Sequence, residues 1–435
     1  MKNAILFVLT LAVWTSVGGC KKYDPGDDVC PACPRITNIV PSHAKGGDII
    51  TINGTNFNPN FSENKVTING RVVSTDSLLS GTSEYIKLFV PKNCGSGPVT
   101  IDADPELTFA GASPIFTYDY KFTVSHYAGS VLGETGFSNG QDTNARFFIN
   151  YMAMDYENNI FVIDSSGQTI RKVAPPLGNL GSTVTSVGNY PGGGSVGGIC
   201  ISGDFIYVVE RSGQNRIYKA NRNSFPLSFT MLNPNNPITG VELYNLTAAG
   251  GFLFATAPFQ NKIMKFDLQS TSWVNYTGSG LANTVDGPVA FAGLSKPWGI
   301  CYNQAENALY FSQTTPLGSV RKIDLQSEFV STIAGNPVSI AYLEGDLFQA
   351  SFSTPLDLAS NLQGTVYIND KGNRRVARIY ENRIVTVAGT GAFGYQDGNG
   401  PTQVSFENEF KGIVISSNGD AFVASNSCIR KITVE

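Results

Sequence analysis

Short apolar runs punctuated by Gly, Pro, Asn and Asp recur along the chain, most clearly from Asp286 to Asn336. There the pattern predicts a strand over Trp298–Tyr302, a turn over Asn303–Asn307 and a second strand over Ala308–Ser312, followed by SVRKIDL and FVSTIAG as a third and fourth. One such four-stranded unit cannot cover both of its apolar faces, so it is expected to pack against copies of itself. Copies are present. A β-branched residue beside a basic one marks the third strand in TIRKVA (Thr169–Ala174), NRIYKA (Asn215–Ala220), NKIMKF (Asn261–Phe266), SVRKID (Ser319–Asp324), RVARIY (Arg375–Tyr380) and CIRKIT (Cys428–Thr433). Aligned on Ile170, Ile217, Ile263, Val320, Val376 and Ile429, the copies are spaced by 47, 46, 57, 56 and 53 residues. The preceding strand recurs as NIFVID, FIYVVE, FLFATA, ALYFSQ, TVYIND and DAFVAS, near-continuous apolar runs suited to strands covered on both faces.

A period of this length with four strands per repeat predicts a six-bladed β-propeller, an all-β fold. The sixth copy stops after its third strand, at Glu435. Its missing fourth strand has a candidate upstream of the first copy: YKFTVSHYAGSVLGETGFSNGQD (Tyr120–Asp142) matches RIVTVAGTGAFGYQDGNG (Arg383–Gly400) in pattern. Phe122–Ala128 is therefore expected to complete the last blade, which would protect otherwise open sheet edges. The phrases VDGPVAFAGLSKPWGI, LEGDLFQASFSTPLDLA and QDGNGPTQVSFENEFKGI, with TVAGTG, resemble the NHL-repeat family of propellers over Phe122–Glu435. That resemblance implies the fold; it leaves open enzyme, protein-binding and RNA-binding roles.

At the other end, Lys2, the apolar Ala4–Val13 and the small residues of SVGGC have the layout of an export signal. The segment resembles a bacterial lipoprotein signal, which implies cleavage before Cys20 and lipid on its thiol, an anchor on the membrane and not a span of it. Residues 21–34 form a polar tether in which Asp24, Asp27 and Asp28 resemble the surface-export tag of lipoproteins from glycan-degrading Gram-negative bacteria, so an outer-membrane, surface-exposed location is expected. Cys30 and Cys33 in CPAC are expected to be a local disulfide or two free thiols, since the context is neither βαβ nor zinc-like.

Residues 35–118 read as a small β-sandwich of about seven short strands. The opening RITNIVPSHAKGGDIITINGTNF (Arg35–Phe57) resembles the IPT/TIG type of immunoglobulin-like domain, which implies a spacer or docking module. The propeller then occupies residues 119–435.

Composition narrows the chemistry. With 30 Lys+Arg against 34 Asp+Glu, a net charge of −4 and no basic run, nucleic acid is not expected as a partner. The two histidines, His43 and His126, cannot build the His-rich metal centre of NHL-type lyases. Neither a GxSxG elbow nor a GxxxxGK[ST] loop occurs. Cys200 and Cys301 occupy matching first-strand places and are expected to be buried structural thiols. The Asp-Gly turns at Asp286 and Asp397 are expected to be tight turns, not calcium loops. Arg171, Arg321 and Arg430 are expected at blade edges.

Loops after second strands and loops leading into first strands emerge together at the mouth of a propeller channel. They are expected to present Tyr151, Glu210, Arg211, Phe259, Trp298, Asp370, Arg374 and Lys411. Aromatic faces among a few polar and charged groups suit a sugar or peptide. The reading from sequence is a monomeric, non-catalytic lipoprotein without cofactor or metal that binds glycan at the cell surface. The alternative partner is an outer-membrane protein held by a scaffold. A third reading is a metal-dependent lactonase or lyase working through Glu210.

Overall fold

The computed structural model describes residues 33–435 except 93, 104–112, 166–167, 179, 191–194, 212–213, 236–237, 315–317, 337, 340 and 408–409. The expected signal segment, Cys20 and Cys30 lie outside the described residues. Cys33 is buried and disulfide-bonded. The chain divides into two units, the second beginning at Lys121.

The first unit is a two-sheet sandwich. One sheet orders Arg35–Val40, Ile49–Thr55, Tyr85–Phe89 and Leu78–Gly81; the other orders His43–Ala44, Ile115–Tyr118, Gly97–Asp102, Lys65–Ile68 and Arg71–Val72. Alternation along each strand decides what is buried. Ile50, Ile52, Ile86 and Leu88 point inward from one sheet and Val66, Ile68, Val99 and Ile101 from the other, each at most 1% exposed. Each such side chain contributes about 1.5–3 kcal/mol relative to exposure.

Among the described residues, the second unit contains six antiparallel sheets. Their successive strands are Ile149–Met154, Ile160–Asp164, Thr169–Ala174 and Thr183–Asn189 in the first; Val196–Ser202, Phe205–Glu210, Ile217–Asn221 and Thr230–Met231 in the second; and Leu246–Ala249, Phe252–Ala257, Lys262–Asp267 and Ser272–Thr277 in the third. The fourth has Pro297–Asn303, Ala308–Gln313, Ser319–Asp324 and Phe329–Ala334, the fifth Pro355–Ser360, Val366–Asp370, Arg375–Tyr380 and Arg383–Ala388, and the sixth Gly412–Ile415, Ala421–Ala424 and Cys428–Val434. Second strands are the most buried because apolar layers cover both of their faces: every residue of Ile160–Asp164, Ala308–Gln313 and Val366–Asp370 is buried, and Phe205–Glu210 and Phe252–Ala257 are partly exposed only at their ends. Phe161 and Ile163 of the first sheet share a layer with Ile206 and Val208 of the second. Phe254 and Ile263 of the third pack with Ile300 and Phe311 of the fourth. Phe422 and Ile429 of the sixth pack with Phe147 and Ile160 at the first.

The sixth sheet draws its fourth strand from far upstream. Phe122–Gly129 pairs antiparallel with Cys428–Val434, with Phe122 opposite Val434 and Val124 opposite Ile432. The Lys121 N–H donates to the Glu435 carbonyl at 2.8 Å, and the Glu435 N–H returns a bond to the Lys121 carbonyl at 2.9 Å.

The acid–glycine pairs have a structural task. Gly287, Gly345 and Gly398 have φ of 152°, 127° and 140°, backbone that a Cβ would strain. The acid before each glycine accepts a backbone N–H from a fourth strand beside an irregularity in its pairing. Asp286 accepts from Thr332 at 2.9 Å, Glu344 from Thr386 at 3.0 Å and Asp397 from His126 at 2.9 Å. These carboxylates are engaged by the protein itself.

Candidate functional site

Buried arginines hold the inter-sheet loops in place, and they overturn two sequence expectations. Arg171, Arg321 and Arg430 are not blade-edge residues; they are at most 3% exposed. Each reaches back to the ends of the loop leading into its own sheet. Arg171 donates to the carbonyls of Ser138 and Arg146, and Arg321 to those of Val285 and Gly293. Arg430 bonds those of Gln396 and Ser405, and Arg375 in the fifth sheet those of Leu343 and Ser351. Each carbonyl pair belongs to two residues already bridged across the loop. In the second and third sheets Asn215 and Asn261 bond loop carbonyls instead, Asn215 those of Ile238 and Val241, and Asn261 that of Gly280.

A guanidinium taken out of water needs a counter-ion. Asp164 serves Arg171 at 2.8 Å, Asp286 serves Arg321 at 2.8 Å, Asp370 serves Arg375 at 3.0 Å and Asp397 serves Arg430 at 2.6 Å. Asp370, expected at the channel mouth, is therefore a correction: its carboxylate is fully buried, bonded to Arg375, Asn373 and the backbone N–H groups of Ser353 and Thr354.

Elsewhere in this unit, residues of the six sheets and of the segments next to their strands surround a recess of about 560 Å³. All six sheets or the loops leading into them contribute: Tyr151 from the first, Tyr190 and Arg211 from the second, Tyr244 from the third, Trp298 from the fourth, Leu356 and Lys371 from the fifth, and Phe410 and Lys411 from the sixth. An adjoining recess of about 520 Å³ shares Trp298, Leu356 and Lys371 and adds Arg374. Of the residues expected from sequence, the structure thus brings together Tyr151, Arg211, Trp298, Arg374 and Lys411. Phe259 stands beside them, 54% exposed, its ring 6.2 Å from that of Trp298. Glu210 is not on the lining; its carboxylate accepts the Arg216 N–H of its own hairpin at 3.3 Å.

The aromatic patch is built in layers. The Tyr244 ring lies 4.9 Å from Trp298 and 5.6 Å from Phe259, tilted and edge-on geometries that favour aromatic pairs. The buried Thr256 hydroxyl donates to the Trp298 carbonyl at 2.6 Å and fixes that strand. Arg211 lies over the Tyr244 ring at 4.1 Å, and its guanidinium is 3.7 Å from Glu242. Trp298 is half-buried, so it both packs on its neighbours and lines the recess.

Below the patch sits a residue that sequence reasoning passed over. Asp357, 9% exposed, accepts from Asn245 Nδ2 at 2.7 Å and from the Ile413 N–H at 3.0 Å, so it ties the fifth sheet to the third and the sixth. Its sequence signal was a carboxylate inside the apolar run TPLDLA. Burial pushes its pKa up to about 7 against the pull of those donors. The unfolded chain releases this proton near pH 4 and the folded chain near 7. The stabilisation is therefore complete below about pH 4 and lost as pH rises toward 7. Urea unfolding should show about 2–3 kcal/mol lost between pH 5 and 7, and Asp357→Asn should flatten that slope. An unchanged slope in the variant would assign the titration elsewhere. Cys200 and Cys301 are buried free thiols whose pKa burial raises, consistent with inert packing.

Comparison with known proteins defines the class. Residues 34–124 match the IPT/TIG domain family. The whole chain is similar in structure to a structural genomics protein of unknown function from Bacteroides thetaiotaomicron, with a TM-score of 0.68 at 18% identity, covering 95% of this chain and 100% of that one. It is similar to an auxiliary nutrient binding protein from the same organism, with a TM-score of 0.57 at 18% identity, covering 95% and 99%. By sequence, 188 residues are 26% identical to Protein SUPPRESSOR OF QUENCHING 1, chloroplastic, of Arabidopsis thaliana, covering 40% of this chain. The match spans only 17% of that relative's length. The protein is thus an all-β chain with an IPT/TIG domain and a propeller-like array of sheets.

Proposed function

We propose that residues 121–435 form a six-bladed NHL-type propeller closed by Phe122–Gly129, and that the chain is a surface lipoprotein, anchored through Cys20, that captures glycan without transforming it. The observation that carries this reading is the recess: Tyr151, Tyr190, Tyr244, Trp298 and Phe410 gathered with amide, hydroxyl and cationic groups in about 560 Å³. Half-buried Tyr151, Tyr190 and Trp298 set among Asn150, Ser165, Gln168 and Ser195 fit a sugar ring, whose C–H face stacks while its hydroxyls bond the polar groups. The auxiliary nutrient binding protein of similar fold supports a capture role.

Affinity gels and isothermal titration against a polysaccharide panel test it. A binding glycan should lose about tenfold or more in affinity with Trp298→Ala, the loss expected of a central aromatic anchor. Failure of every glycan to bind would refute the reading.

A second reading, a protein scaffold at the outer membrane, is favoured by one specific feature. The inter-sheet loops expose Leu281 (71%), Val338 (84%) and Phe393 (66%) at similar places, with Phe291 (82%) and Phe348 (57%) further along two of them. Crosslinked pull-down of one fixed partner, insensitive to sugar, would select this reading.

A further inference from the structure

We infer that the ligand is a short sugar chain, not a single sugar, and that it lies across Trp298 from the six-sheet recess into the adjoining one; the inference rests on the glycan reading above. The two recesses, of about 560 and 520 Å³, meet at Trp298, Leu356 and Lys371, which line both. Each alone has the size of a site that takes a whole small ligand, about 300–1,000 Å³. A single ring therefore occupies one and leaves the other to solvent. The junction is aromatic: Trp298 is backed by the Tyr244 ring at 4.9 Å, with that of Phe259 6.2 Å away. A sugar seated at this junction has room for a further sugar on either side.

The two recesses differ in make-up, which gives the chain a path. All six sheets or the segments next to their strands line the first; the described lining of the second comes from the fourth and fifth alone. There Thr314 stands on the fourth sheet's side and Thr354 and Gly372 on the fifth's, so hydroxyls again lie beside Trp298. The chain therefore runs from the recess common to six sheets toward the fourth and fifth. Its second wall is set before any ligand arrives. The buried Asp370 carboxylate accepts the N–H groups of Ser353 at 3.0 Å and Thr354 at 3.2 Å, and Asn373 Nδ2 at 2.7 Å. The Lys371 N–H donates to the Thr354 carbonyl at 3.0 Å. One carboxylate thus locks the Thr354 segment to the turn at Lys371–Asn373. A preformed groove keeps ordering costs low, and each further sugar joins a chain whose loss of free motion has already been met. Affinity then grows with the length that the two recesses can hold.

The test titrates the full chain with soluble starch, arabinoxylan, galactomannan and polygalacturonate, and with size-fractionated hydrolysates of each. For a polymer that binds, fragments of about four sugars should bind about tenfold or more tighter than the monosaccharide, with no further gain beyond about six. Thr314→Phe, which sets a larger side chain in the wall of the adjoining recess, should bring the four-sugar fragments down about tenfold, to the affinity of the shorter ones. If the monosaccharide binds as tightly as the longer fragments, the chain inference falls and the glycan reading stands. Affinity that keeps climbing past about six sugars would place contacts beyond the two recesses and overturn the inference as well. So would a length dependence left intact by Thr314→Phe in a variant with the parent's melting temperature. If that variant does not fold, the length series on the parent chain decides alone. If no polymer and no fragment binds, both readings fall.

Discussion

Asp370→Ala should cost the second unit about 3–5 kcal/mol, the penalty for leaving a buried charge without its partner. The carboxylate is fully buried and takes four hydrogen bonds, so its removal strands the Arg375 guanidinium and the N–H groups of Ser353 and Thr354. Arg375 cannot swing to water, because the same head bonds the carbonyls of Leu343 and Ser351 and lies 4.4 Å from the Tyr342 ring. An internal control is available in the same sheet. Arg383 and Asp346 form a pair at 3.9 Å with both side chains more than 60% exposed. Asp346→Ala should cost under about 1 kcal/mol, because water screens that pair. Tryptophan fluorescence reports the right unit, since Trp273 and Trp298 both lie beyond Lys121. Equal denaturant midpoints for the two variants would mean that the buried pair does not hold the loop.

The second large effect is expected at the seam. Val124 is 1% exposed and faces inward from Phe122–Gly129, whereas Ser125 next to it is exposed. Val124→Asp would bury a carboxylate with no cation opposite, since its paired residue is Ile432. A cost of about 4 kcal/mol or more is expected, because an isolated buried charge must be neutralised or the strand must leave. Ser125→Asp, one residue away on the other face, should change stability by less than about 0.5 kcal/mol. Limited proteolysis gives a second readout: a displaced strand should be cut near residues 119–130 in the first variant and spared in the other. Similar stability of both variants would show that this strand contributes little to the sixth sheet.

These expectations also show where sequence reading succeeds and where it stops. The sheets were legible because burial on both faces imposes a local rule, visible in NIFVID, ALYFSQ and TVYIND, and because the third strands repeat their own pattern. The strand at Phe122 was legible through its likeness to Arg383–Ala388. The arginine clamps were not. A charge next to Ile170 or Val320 reads as solvent-facing by alternation, and only the three-dimensional return of a loop some 30 residues upstream gives that charge a buried place. Asp370 misled for the same reason: at the end of a strand it has the local look of a mouth residue, and its burial comes from loop residues 353–354 folding over it. The lining was partly legible, since loop position alone places Tyr151, Arg211, Trp298, Arg374 and Lys411. Tyr190 and Leu356 carry no local mark that separates them from packing residues.

The pairing of Phe122–Gly129 with Cys428–Val434 has a kinetic meaning. Partners separated by about 300 residues must find each other late, after the intervening chain has been made and largely ordered, because closing so long a loop carries an entropic cost before any contact offsets it. While the rest of the chain is being made, the upstream strand waits with an unsatisfied edge, a template for the wrong neighbour. Assembly of this molecule should therefore be limited by its two distant segments meeting, and slow refolding at high protein concentration should yield chain-swapped pairs in which one molecule lends that strand to another.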